Sequence, residues 1–181
     1  ARNTLLMSQT AVGPFDPNRV RGRGAWVDGE MEGGAARVVY NTGETIIAGG
    51  VEKELGEFQS KFIYTKKPRV GMNWKAPAGR ELRLKAIEAC ELLPWAKPQN
   101  AWMFAGWLFI APLCGMLSWR PHLWLMGPKG SGKSWAYDNI INRWLGRAAV
   151  KPLSSSTEAG IRQFLRGDAF PVIFDEFESN D

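Results

Sequence analysis

The chain has 181 residues, 45% of them hydrophobic, with a formal net charge of +5. That length gives room for one domain and part of a second, with enough apolar residues for a packed core. Two cysteines, Cys90 and Cys114, without C-x-x-C spacing, and a single histidine, His122, argue against structural zinc and fit a reduced, cytoplasmic setting. No signal peptide is visible.

Residues 1–23 are rich in turn formers, among them Gly13-Pro14 and Asp16-Pro17, and read as an extended lead-in. Basic residues are scattered along the chain, so the positive charge is compatible with a polyanionic partner without requiring one. The nearest thing to a cluster is Arg19, Arg21 and Arg23 with Gly22 and Gly24, which reads as a flexible loop rather than a phosphate-binding arm. Residues 24–65 form a small β-rich module. Its runs are Gly24 to Asp28, Ala36 to Tyr40 and Glu44 to Ala48, parted by Gly33-Gly34 and Asn41-Thr42-Gly43, with Lys61 to Thr65 as a fourth. Close antiparallel hairpins follow from that spacing. Residues 66–79 are rich in Pro and Gly and read as a linker.

Arg80 to Leu93 has the pattern of an amphipathic helix, with Leu82, Ala86, Ala89 and Leu93 on one side, stopped by Pro94. No catalytic chemistry is recognisable up to this point, so the first part reads as an accessory or substrate-contacting module. Ala101 to Trp119 carries no charge and resembles a membrane span in hydropathy. Gly106, Pro112 and Gly115 inside it favour a buried helix pair instead. Seven of the nine tryptophans fall between Trp95 and Trp144. Trp102, Phe104, Trp107 and Phe109 have the chemistry to stack bases, but an apolar helical segment favours core packing. His122 follows Pro121 and reads as packed or capped rather than catalytic.

Gly127-Pro128-Lys129-Gly130-Ser131-Gly132-Lys133-Ser134 spells G-x-x-x-x-G-K-S, the Walker A pattern, directly after the apolar Leu123 to Met126. Glycines let successive backbone N–H groups surround phosphate oxygens, and the following helix adds its positive end. Lys133 is placed to reach the β- and γ-phosphates and Ser134 to ligate Mg²⁺. Ala136, Ile140 and Trp144, like Tyr137, Ile141 and Leu145, recur at helical spacing up to Gly146. Ala149 to Leu153 reads as a short strand, and Thr157-Glu158 opens a helix to about Arg166, ended by Gly167.

Phe170 to Phe174 is an unalternating apolar run, suited to a strand buried on both faces of a parallel sheet, and it ends in Asp175-Glu176. This is the Walker B arrangement: Asp175 to hold Mg²⁺ through water, Glu176 to polarise the attacking water. Lys133 and Glu176 are the catalytic candidates. The order strand, loop, helix, strand, helix, strand predicts an α/β P-loop NTPase core, preceded by helices and a small antiparallel β module. Residues 80–181 would then hold the helices and the first part of the ATPase domain.

These stretches resemble the ATPase part of phage- and plasmid-type DNA primase-helicase proteins. The resemblance is carried by residues 105–112, 119–127, the Walker A loop, Ser156 to Gln163 and Pro171 to Glu176, and less specifically by residues 21–26 and 37–43. It implies an ATP- and Mg²⁺-dependent motor on single-stranded DNA, working as a homo-oligomeric ring without a membrane. Such rings need a polar sensor and an arginine finger, and the sequence stops at Asp181 before either. A three-stranded parallel sheet would also have an unpaired edge. The expectation is a fragment of a longer helicase, weak or inactive alone. Two rivals stay open: a P-loop ATPase acting on a protein partner, such as a helicase loader, and a nucleotide-binding module that does not hydrolyse.

Overall fold

A computed structural model describes residues 15–29, 36–71, 79–152 and 156–174. The fold is mixed α/β: a four-stranded antiparallel sheet, a parallel strand pair, and a layer of helices. After a 3-10 turn at Pro17–Arg19, capped by the Asp16 carboxylate, come strands β1 (Val20–Arg21), β2 (Gly24–Asp28), β3 (Arg37–Asn41), β4 (Thr45–Ala48), β5 (Val51–Glu54) and β6 (Ile63–Tyr64). Sheet order is β2-β3-β4-β5, all antiparallel, while β1 pairs with β6 in parallel. Gly33-Gly34, between β2 and β3, lies outside the described residues.

The predicted hairpins form, with two changes. Lys61 to Thr65 does not extend the antiparallel sheet; its Ile63–Tyr64 pairs with Val20–Arg21, inside the stretch expected to be a lead-in. The fourth antiparallel strand is instead Val51–Glu54, joined to β4 through Gly49 and Gly50. Both glycines have positive φ (56° and 76°), which a two-residue hairpin turn of the primed type requires. β5 escaped the sequence pattern because its Glu-Lys-Glu is polar, as suits an edge strand open to water.

Asn41 is fully buried and binds the two sheets together. Its Nδ2 donates to the carbonyls of Gly22 (3.0 Å) and Thr65 (3.3 Å), and its Oδ1 accepts from the Gly43 N–H (2.8 Å). The arginine cluster is fixed rather than flexible. Arg21 lies over the rings of Trp26 (4.8 Å) and Phe62 (4.4 Å), Arg19 donates to the Lys61 carbonyl, and Arg23 pairs with Asp168. Burial raises the Tyr40 hydroxyl to about 12, and it also pushes the Tyr64 hydroxyl far above its ordinary value.

The helices are α1 (Arg80–Glu91), α2 (Gln99–Ile110), α3 (Lys133–Ala136), α4 (Asn142–Leu145) and α5 (Glu158–Leu165). A π-helical turn, Tyr137–Ile141, joins α3 to α4. The apolar side of α1 begins later than its pattern predicts: Leu82 is exposed, while Cys90 is buried and Ile87 and Leu93 pack on the core. Ala101, Phe104, Ala105 and Leu108 of α2 join Cys90, Ile140, Ile141 and Leu145 in that core. Burying Phe104 alone stabilises by about 2–3 kcal/mol.

The uncharged stretch holds one helix and a 3-10 turn, Ala111–Met116, rather than a helix pair. Pro112 has no N–H to continue α2. No helix among the described residues is long and apolar enough to cross a membrane. The aromatic residues of this stretch divide. Phe104 is buried, Trp107 and Phe109 are half-buried, and Trp102, expected in the core, is exposed together with Met103. The Trp107 indole donates to the Pro121 carbonyl, and Phe109 meets Trp144 edge-on at 5.0 Å.

The β module rests on this helical layer. Ala25, Tyr40 and Ile47 pack with Leu113 and Met116 of the 3-10 turn. Residues 67–70 of the predicted linker bond to the module: Lys67 N–H donates to Gly43 O (2.8 Å) and Val70 N–H to Thr42 O (2.7 Å). Both cysteines are free and buried, and burial raises each thiol, Cys90 to about 11.

Candidate functional site

The glycine loop is approached by Leu123 to Met126, which alternate in burial. Leu123 and Leu125 pack on the helical core, whereas Trp124 and Met126 are exposed. The stretch has no ladder partner among the described residues. The expected three-stranded parallel sheet reduces, in those residues, to one parallel bridge between Val150 and Val172. Val150 N–H donates to Pro171 O (3.0 Å) and Ile173 N–H to Val150 O (2.8 Å). The sequence pattern placed both runs in the right direction, but Trp124 and Met126 face water where a sheet neighbour was expected. Leu153, the end of the predicted second strand, lies outside the described residues.

Within the loop, Ser131 N–H donates to Pro128 O (3.2 Å), closing a turn. Gly130 and Gly132 have φ of 81° and 88°, a backbone state that a side chain would strain. Gly132 then caps α3, and Ala136 N–H donates to its carbonyl (2.9 Å). No backbone carbonyl among the described residues accepts from the N–H groups of Gly130 and Gly132. The Ser131 N–H between them is committed to the Pro128 carbonyl, so these two amides are alternate rather than consecutive.

Lys133 Nζ donates to the carbonyls of Gly127 (2.6 Å) and Pro128 (3.1 Å), so the ammonium curls over the start of the loop. It is exposed, as are Lys129 and Ser134. No acidic residue occurs from Leu123 through Tyr137. The Ser131 hydroxyl is closed off from solvent and has no hydrogen-bond partner. A buried hydroxyl without a partner is costly. A Cβ on Gly127 would lie 2.6 Å from that hydroxyl, so the Ser131 side chain would have to shift to admit one.

No family model, curated protein or solved structure matches the chain. The functional reading therefore stands on the geometry of these residues.

The structure brings Gly127, Pro128, Lys129, Gly130, Ser131, Gly132, Lys133 and Ser134 together in one loop and helix start. Asp175 and Glu176 lie outside the described residues, which end at Phe174 on this side of the chain. Ser134 is thus the described member of the predicted metal pair. Among the described residues no group of three or more His, Cys, Asp or Glu side chains converges to hold a metal. His122 is exposed instead of packed.

Two concave features were not anticipated from the sequence. A groove of about 310 Å³ is lined by Leu92, Leu93, Pro94, Gly130, Ser131, Gly132 and Trp135. Trp135 follows Ser134 directly, and an exposed aromatic in that position was the available signal; Leu92 and Leu93 gave none. A smaller cavity, about 140 Å³, lies among Ala86, Leu108, Ile140 and Arg143 and includes no loop residue.

Proposed function

We propose that the loop from Gly127 to Ser134 binds the phosphates of ATP with Mg²⁺, and that the chain is the nucleotide-binding part of a DNA-dependent ATPase of the phage and plasmid primase-helicase type. One observation carries this reading. Gly130 and Gly132, both in the left-handed region, leave their N–H groups unbonded to any described carbonyl beside an exposed Lys133 ammonium.

In this reading Lys133 exchanges the Gly127 and Pro128 carbonyls for the β- and γ-phosphate oxygens. Those are stronger acceptors because the bond is then charged on both sides. Ser134, exposed on the first turn of α3, would ligate the metal, and Asp175 would hold it through water. Bound Mg²⁺ supplies charge neutralisation for the phosphates. Glu176 orients and deprotonates the attacking water. Single-stranded DNA and further copies of the chain are the proposed partners, in a reducing cytoplasm that suits two free thiols.

Titration calorimetry with ATP and Mg²⁺ tests the first step. Lys133→Ala removes a charged hydrogen-bond donor, so affinity should fall at least about tenfold. Unchanged affinity would sink the loop's assignment. ATP turnover, measured with and without single-stranded DNA, tests the second step. DNA should raise it, Glu176→Gln should abolish the gain, and the response should weaken steeply with added salt. A rate indifferent to DNA would favour an ATPase acting on protein.

A further inference from the structure

The groove beside the glycine loop differs in chemistry from the loop itself. No charged side chain lines it. Leu92 is 74% exposed and Trp135 46%, so two large apolar surfaces lie open to water next to an ionic site. The N–H groups of Leu92 and Leu93 are both directed to the Cys90 carbonyl, and Pro94 has none to offer. Its volume of about 310 Å³ lies at the lower end of the range for small-ligand pockets.

We propose that this groove holds the purine ring of the nucleotide, with Trp135 as its stacking partner, and that it selects purines without separating adenine from guanine. The inference rests on the reading of Gly127–Ser134 as the phosphate site. A nucleotide joins a polyanion to a flat ring with apolar faces. The groove shares Gly130, Ser131 and Gly132 with the loop, so a ligand anchored there by its phosphates has the groove immediately beside it. Leu92, Leu93 and Pro94 supply apolar surface for one face of a ring and the Trp135 indole supplies an aromatic plane for stacking. Telling adenine from guanine requires hydrogen bonds to the ring edge. The lining has no amide or carboxylate side chain for that purpose; its polar side-chain groups are the Trp135 indole N–H and the Ser131 hydroxyl, the latter closed off from solvent.

Calorimetric titration of the full chain with ATP, GTP, CTP and inorganic tripolyphosphate, each with Mg²⁺, tests this directly. ATP and GTP should bind within about threefold of each other and about tenfold more tightly than CTP or tripolyphosphate. Trp135→Ala should weaken ATP and GTP about tenfold and leave tripolyphosphate within about twofold, while Trp135→Phe keeps most of the purine affinity. Circular dichroism checks that each variant folds. If tripolyphosphate weakens in parallel with ATP, Trp135 merely supports the loop and the proposal fails. If Trp135→Ala binds ATP as tightly as the parent, the groove serves another occupant, such as an apolar peptide, and the proposal fails with the phosphate site intact. A preference of more than about tenfold between ATP and GTP overturns the selectivity. No binding of ATP or tripolyphosphate by the parent chain overturns the phosphate reading itself, and the groove assignment with it.

Discussion

Asp168 has a carboxylate that is 3% exposed and faces two cations. Its Oδ1 accepts from the Arg23 N–H (2.7 Å) and from Lys67 Nζ (2.8 Å), and its Oδ2 from Arg23 Nη2 (2.7 Å) and Nε (3.1 Å). With these bonds made, the desolvation of the charge is offset; with one partner removed it is not. Asp168→Ala should therefore lower unfolding free energy by about 3 kcal/mol in urea titration, and a loss below about 1 kcal/mol would show the pairing to be incidental. Cys90 supplies a second test. Burial lifts its thiol from 9.0 to about 11, so the folded chain holds the proton that the unfolded chain releases. Stability from this source is complete below about pH 9 and declines as pH rises toward about 11. Tyr40, raised to about 12, acts with the same sign one unit higher. Urea midpoints near pH 8 and pH 10.5 should thus differ less in Cys90→Ala than in the parent. Residue by residue, legibility followed distance along the chain. The glycine loop was readable because its groups are consecutive. Asp168 was not, because Arg23 lies 145 positions away and Lys67 lies 101.

Among the elements, the 3-10 turn from Ala111 to Met116 has the tightest fit. A Cβ on Gly115 would collide with both the Ala25 carbonyl of β2 and the Ala169 side chain. Gly115→Ala should lower stability by about 1–3 kcal/mol, since neither neighbour is a flexible tip. Gly106→Ala on α2 makes the control: nothing lies within 4 Å of its Cβ, and the gain in helix propensity is up to about 1 kcal/mol. Thermal unfolding should move in opposite directions for the two, and like shifts would refute the packing argument. Start and stop signals located α5, whose Thr157 hydroxyl caps it by accepting from Gly160 N–H (3.2 Å), and periodicity located α1. It missed the π-helical turn because no Gly or Pro marks it; Ile140 and Ile141 are both buried there, which the two four-residue repeats had implied separately. It overstated the parallel sheet because an apolar run does not reveal whether a neighbour covers its second face. Trp124 and Met126 show the difference.

At the scale of the whole molecule, the β module and the helical layer share a buried contact through Ala25, Tyr40, Ile47, Leu113 and Met116. The Arg23–Asp168–Lys67 group joins them a second time. The described residues should consequently unfold together. Tryptophan fluorescence and far-ultraviolet dichroism should give coincident transitions, whereas two separated midpoints would mean that the module melts alone. The sequence divided the chain by composition, and such a division carries no information on which surfaces later meet. One short tract now has a mechanical consequence. Ala169 is bridged in parallel to Gly24 in the β module, and Val172 to Val150 beside the helical layer. Three peptide units separate those anchors, a reach of at most about 11 Å even when fully drawn out. Such a tether has little slack. A pull on the module is passed along these three peptide units to the Val150–Val172 bridge, so load on one half reaches the other through covalent chain as well as through the buried contact.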